Sequence, residues 1–165
     1  QMSKFRELVT INPGTPNEFQ ADITLTANTP AEVIVDQMGV LSQAYDEAMT
    51  AYLQDVEAQA KAHAVAGRKR GAWDAIEQVH IADAKRKVEG RGPSLDALKG
   101  DAKKQHRPEF TAMLDAGEDA TAREIVVRAL RMKIDMLRTK IMMRQSALSA
   151  ATDRERSAKY AKGGK

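Results

Sequence analysis

Two long stretches in which apolar residues recur at alternating steps of three and four constrain the fold of this chain most. The first is Ile34, Met38, Leu41, Tyr45, Ala48, Tyr52 and Val56. The second is Val127, Leu130, Ile134, Leu137, Ile141, Arg144 and Leu148. Each spacing is heptad-like and puts one apolar seam on one side of a helix. Thr29-Pro30-Ala31-Glu32 and Thr121-Ala122-Arg123-Glu124 read as capping boxes that open them. The predicted helices run over about 30–66 and 122–158. A helix of ~35 residues spans ~50 Å, too long for an ordinary core helix, so we expect an antiparallel bundle or an oligomer. The second helix carries another apolar face roughly opposite its seam: Ile125, Ala129, Met132, Met136 and Met143. Arg128, Arg131 and Arg138 border one flank, and Lys133, Lys140 and Arg144 the other. Two apolar faces on one helix need two coverings. We therefore expect self-association, with Val127, Leu130, Ile134, Leu137, Ile141 and Leu148 at the interface.

The remaining segments are shorter. Residues 4–11 and 18–26 alternate apolar and polar positions with period two and predict a β-hairpin, with Asn12-Pro13-Gly14-Thr15-Pro16 as its turn. A two-stranded hairpin is marginal alone and must pack on a helix or pair with another strand. Gly67-Arg68-Lys69-Arg70-Gly71 reads as a loop or helix break, after which a helix resumes from Ala72 to about Val88. Gly90-Arg91-Gly92-Pro93 ends that helix. Ser94 caps a short one to about Lys104. Pro108 and Gly117 bracket a further short turn that buries Phe110, Met113 and Leu114. The predicted fold class is mainly α, with long heptad-patterned helices in a bundle and a small N-terminal β-hairpin. Its parts are a hairpin arm over 2–28, a helical domain with basic connecting segments over 29–120, a long C-terminal helix over 121–160 and a frayed basic tail over 161–165.

Composition narrows the chemistry. Among 165 residues there is no Cys, which excludes disulfides, thiol nucleophiles and thiolate metal sites and suggests a reducing compartment. No run of apolar residues has the length of a membrane span, and no leader pattern opens the chain. We expect a cytoplasmic protein. His63, His80 and His106 form no HxxxH or HExxH pattern, so no metal is expected, and His80, on an apolar stripe, reads as a core histidine. There is no G-x-S-x-G and no phosphate loop, so neither an enzyme, a cofactor nor a small-molecule substrate is expected.

Charge is strongly polarised. Residues 1–60 carry −7, residues 61–107 carry +6 and residues 108–165 carry +4. Such a chain offers a basic surface to a polyanion or pairs its ends with one another. The basic clusters Arg68-Lys69-Arg70, Lys85-Arg86-Lys87 and Lys103-Lys104 with Arg107 can neutralise phosphates, and Lys99 adds to the last. Trp73, the only Trp, follows the first cluster. It reads either as a helix anchor, the better supported role for this residue alone, or as a surface on which an unpaired base stacks. The leading expectation is a non-enzymatic nucleic-acid-binding protein. It favours single strands, is driven by backbone contacts and has little sequence preference. The rival is a helical structural or adaptor protein that acts by self-assembly or by binding partner helices. The two opposed apolar faces of the last helix argue against a membrane-surface role.

Overall fold

A computed structural model describes residues 6–87, 90 and 92–163. The order of elements is β1 (Leu8–Ile11), β2 (Phe19–Asp22), α1 (Ala31–Arg86), α2 (Leu95–Gln105) and α3 (Arg107–Gly163). The protein is mainly helical with a small antiparallel hairpin near its N-terminus. Two compact units are present. The first comprises Gln1–Leu53 with Ala129–Lys165, and the second Gln54–Arg128.

Several expected breaks are absent. α1 passes through Gly67–Gly71 without interruption, and α3 passes through Gly117 and Thr121. Glycine inside a helix costs only about 1 kcal/mol relative to alanine, which a long packed helix offsets. Pro108 stands at the second position of α3, where the first turn has no use for its missing N–H. The Thr121 hydroxyl donates to the Gly117 carbonyl at 2.9 Å, so it bonds back along the helix instead of capping one. α3 continues through 161–163, expected to be frayed. Ser94 does cap α2, its Oγ accepting from the Ala97 N–H at 3.3 Å. The strands are shorter than expected. Lys4, Val88, Arg91, Gly164 and Lys165, on which parts of these expectations fall, lie outside the described residues.

In the first unit the hairpin pairs Leu8 with Asp22, Val9 with Ala21, Thr10 with Gln20 and Ile11 with Phe19. Its turn needs positive φ at Asn12 (51°) and Gly14 (75°), which explains a glycine there. Val9, Ile11 and Ile23 point inward and share one core with Leu41, Ala44, Ala48, Ile134 and Leu137. The buried line on α1 is Ile34, Gln37, Leu41, Ala44 and Ala48. It is rotated from the expected seam, leaving Met38, Tyr45 and Tyr52 half-buried beside it. On α3 the buried positions Ile134, Leu137, Arg144 and Ala151 keep the expected register. Assigning Ile134 and Leu137 to a subunit interface is therefore corrected: α1 and the hairpin already cover them. Val127, Leu130, Ile141 and Leu148 are half-buried.

Arg144 is the most unusual member of this core, with 1% exposure. Its Nε donates to Gln37 Oε1 at 3.2 Å, its Nη1 to the Lys140 carbonyl at 3.2 Å, and its Nη2 to Glu7 Oε2 at 3.1 Å and to the Ile23 carbonyl. Glu7 also accepts from Lys140 at 2.6 Å. Gln37 in turn donates to the Thr24 carbonyl at 3.0 Å. One guanidinium thus fastens the chain on both sides of the hairpin to α1 and α3. Among the described residues no buried side-chain nitrogen or oxygen lacks a partner. Asn12 N–H donates to Glu47 Oε2 at 3.0 Å and ties down the hairpin turn.

Removing one partner of a buried ion pair strands the other groups. Arg144→Ala should lower the unfolding free energy by about 3–5 kcal/mol, measured by denaturant titration; a loss well under 1 kcal/mol would contradict the account. Burial alone pushes the Glu7 carboxyl up, but the Lys140 and Arg144 hydrogen bonds and charges together hold it below its ordinary 4.5. The stability linked to Glu7 is therefore full above pH 4.5 and falls as pH drops through the lowered folded value. Glu7→Gln should flatten this acid limb of the stability profile, and an unchanged limb would remove Glu7 from it.

Candidate partner-binding groove

The continuity of α1 decides where the cations go. Consecutive residues on a helix point ~100° apart. Arg68, Lys69 and Arg70, which a loop could have gathered, are instead spread around α1, and only Arg70 faces inward to the groove described next. Lys85 and Arg86 sit in the last turn of α1 and Lys103 and Lys104 in the last turn of α2, where cations complement the helix dipole. Arg107 begins α3, and Lys87 follows α1 directly. Arg86 contacts Asp83 at 3.8 Å. Glu57 lies below its ordinary value because Lys61 bonds to it at 2.6 Å.

Within the second unit, α1, α2 and α3 enclose an open groove of about 1040 Å³. Along α1 it is lined by His63, Ala66, Gly67, Arg70, Trp73, Asp74 and Glu77, which share one helix face at steps of three and four. Along α3 the matching face runs from Phe110 through Met113, Leu114, Gly117, Glu118, Thr121 and Ala122 to Ile125. Lys99 and Lys103 of α2 complete the wall. The small residues Ala66, Gly67, Gly117 and Ala122 leave the space that larger side chains would have filled. No atom lies within 4 Å of a β-carbon added at Gly67 or Gly117.

Trp73 is buried, 4% exposed, with its ring 5.0 Å from Phe110 and tilted by 57°. This is a favourable aromatic packing geometry. Lys103 Nζ stands 5.1 Å over the Phe110 ring. Trp73 is thus packed into the unit against Phe110, with little of its surface open to solvent. His80 also joins α1 to α2, with Nε2 3.1 Å from Asp101 Oδ2 and its ring edge-on to His106 at 5.8 Å. Among the described residues no group of three or more His, Asp or Glu has the geometry to hold a metal ion.

The groove is mixed in character. Leu114 (45% exposed) and Ile125 (63% exposed) present apolar surface. Arg70, Asp74 and Glu77 of α1, Lys99 and Lys103 of α2 and Glu118 of α3 line the same space, and among the described residues none of these six is engaged in a salt bridge. The expected site residues Arg70, Trp73 and Lys103 meet here, whereas Arg68, Lys69, Lys85, Arg86, Lys87, Lys104 and Arg107 are not part of its lining. The sequence reading missed Phe110, Met113, Leu114 and Ile125 as one face, although their spacing carried the signal, because Gly117 and Thr121 were read as a helix end and a helix start.

In comparison with known proteins, no family model matches the chain, and neither a curated protein nor a solved structure is significantly similar to it. No helix among the described residues is long and apolar enough to cross a membrane.

Helix continuity at Gly67–Gly71 is directly testable. Gly71 is exposed and helical, with open space around an added β-carbon. Gly71→Ala should raise stability by about 0.5–1 kcal/mol in thermal or denaturant unfolding. A loss of stability would place the residue in a turn.

Proposed function

We propose that this protein is a non-enzymatic helical adaptor that receives an amphipathic helix of a partner protein in the groove of its second unit. The observation that carries this reading is the lining itself. Two helix faces at steps of three and four form the walls, aliphatic and aromatic side chains lie between them, and unpaired charges of both signs stand along the space. A helix laid in a groove is read by an apolar stripe at i, i+3, i+4 and i+7, with polar flanks fixing its direction. Arg70, Lys99 and Lys103 suit carboxylates on such a helix, and Asp74, Glu77 and Glu118 suit its cations. A polyanion would meet those three carboxylates as repulsion.

A second reading, binding of single-stranded nucleic acid, is favoured by one feature outside the groove. Lys85 lines a small cavity with Leu98 of α2, and the His80–Asp101 bond joins the same two helices, so the basic end of α1 packs alongside α2, whose own last turn is basic. Lys85, Arg86, Lys104 and Arg107 would hold phosphates along these helices, and Lys103 would extend the path to the groove's edge.

One titration separates the two. Trp73, the only tryptophan, lines the groove and serves as its reporter. A designed amphipathic helical peptide, with leucine at i, i+3, i+4 and i+7 and flanks of both charges, should shift the tryptophan emission saturably. Leu114→Glu with Ile125→Glu should weaken that binding about tenfold or more, equivalent to ~1.4 kcal/mol, with thermal stability retained because both side chains are exposed. Peptide binding that ignores the double substitution would contradict the groove reading. Binding of a single-stranded oligonucleotide, untouched by the substitution and with a log-log salt slope of ~0.7 per phosphate, would establish the second reading in its place.

A further inference from the structure

The first unit carries two unpartnered helix faces of opposite charge. From residue 30 to residue 60 the sequence contains six carboxylates and no Lys or Arg. On α1 the exposed residues Glu32, Asp36, Gly39, Gln43, Asp46 and Thr50 follow one another at steps of four and three. This stripe lies opposite the buried line of Ile34, Gln37, Leu41, Ala44 and Ala48. Val35 (53% exposed) and Leu53 (62% exposed) border it. Among the described residues Glu32, Asp36 and Asp46 form no salt bridge.

On α3 the face opposite the buried line of Ile134, Leu137 and Arg144 carries Met132 (63% exposed), Met136 (49%) and Met143 (56%). Exposed Arg131 and Arg138 stand on one flank with Met142, and half-buried Lys133 on the other. Glu7 pairs with both Lys140 and Arg144, but Arg131, Lys133 and Arg138 have no ion-pair partner among the described residues. Methionine packs on irregular surfaces through its flexible, polarisable thioether, which suits an interface formed between separate molecules. The face seen in the sequence as a second apolar surface is therefore the one left uncovered, with Arg131, Arg138 and Lys133 on its flanks outnumbering one exposed carboxylate, Asp135, at its edge.

We infer that the occupant of the methionine face is the acidic α1 stripe of a second copy of this chain. The two faces are complementary in charge, and the carboxylates from Glu32 to Asp46 span ~21 Å against ~17 Å from Met132 to Met143, at 1.5 Å per residue. Each points away from the core that α1 and α3 share, so the two faces of one copy cannot meet each other. A neighbour seated on one face leaves the other open. The contact is therefore head-to-tail: the basic face of each copy takes the acidic face of the next, and assembly propagates beyond a dimer into a ring or a filament. This inference concerns the first unit and does not depend on the groove of the second.

The test uses the full chain and two variants in sedimentation and light scattering. In one variant Glu32, Asp36 and Asp46 are each changed to Lys; in the other Arg131 and Arg138 are each changed to Glu. The wild-type mass should rise with concentration past that of two chains. Assembly should weaken about tenfold or more between 0.1 M and 1 M salt, where the screening length falls from ~10 Å to ~3 Å. Each variant alone should stay monomeric with wild-type helicity and melting temperature, because the changed side chains are exposed. Mixing the two should restore assembly, since both contacts then join opposite charges. A wild-type chain that remains monomeric at all concentrations overturns the inference, as does assembly that stops at a dimer. Variants that assemble as the wild type does overturn it too. Capture of the methionine face by vesicles of anionic lipid, with no self-association, would assign that face to a membrane surface instead.

Discussion

A single buried guanidinium decides how the first unit is organised. A two-stranded hairpin has too little apolar surface to stand alone, and Val9, Ile11 and Ile23 supply only three buried side chains from it. Arg144 adds directional bonds to that burial. It reaches Glu7 before β1, the Ile23 carbonyl after β2, and Gln37 on α1. A buried charge is destabilising unless every donor is met, so this arrangement tolerates few alternatives. Shifting the hairpin by one residue would turn its side chains over and leave the guanidinium facing the wrong groups. The clasp therefore contributes specificity of register as well as attachment.

Because Arg144 and the hairpin complete the core on one side of α1 and α3, the opposite sides of these helices stay bare in the first unit. That is why an acidic stripe and a methionine face both remain exposed there. The second unit solves a different packing problem. α2 contributes Leu98 and Ala102 to its interior, Trp73 is buried, and its ring packs on Phe110. The small residues Gly67 and Gly117 then hold a space open beside that aromatic pair. The same long helices thus carry a closed, clasped core in one unit and an open trough in the other. Local side-chain size and one buried charge account for the difference.

Much of the helical architecture was legible in the sequence. The steps of three and four on α3 located Ile134, Leu137 and even Arg144 in one line. The alternation of residues 19–25 revealed β2, and Ser94 marked the start of α2. The reading lost accuracy where local signals compete with tertiary packing. Gly67, Gly71 and Gly117 read as breaks because propensity ignores the stabilisation a long helix receives from its neighbours. The true line on α1 was displaced because Gln37, a polar residue, occupies a core position in order to serve Arg144 and Thr24. No periodicity of apolar residues can find such a position. Arg68, Lys69 and Arg70 were expected together on a loop, whereas on the continuous α1 they point in different directions. The two cations of α3 that bond Glu7 were invisible as partners, because a long-range pairing with the N-terminal segment leaves no local trace.

The Arg144 clasp joins hairpin and helices into one cooperative structure. Native-state hydrogen exchange tests it most directly. The amides within the β1–β2 ladder, together with the Ile23 amide bonded to the Glu7 carbonyl at 2.7 Å, should open with the same free energy as helix amides near Leu41 and Leu137. Hairpin amides that exchange freely, while those of α1 and α3 remain protected, would show an independent arm and contradict the account.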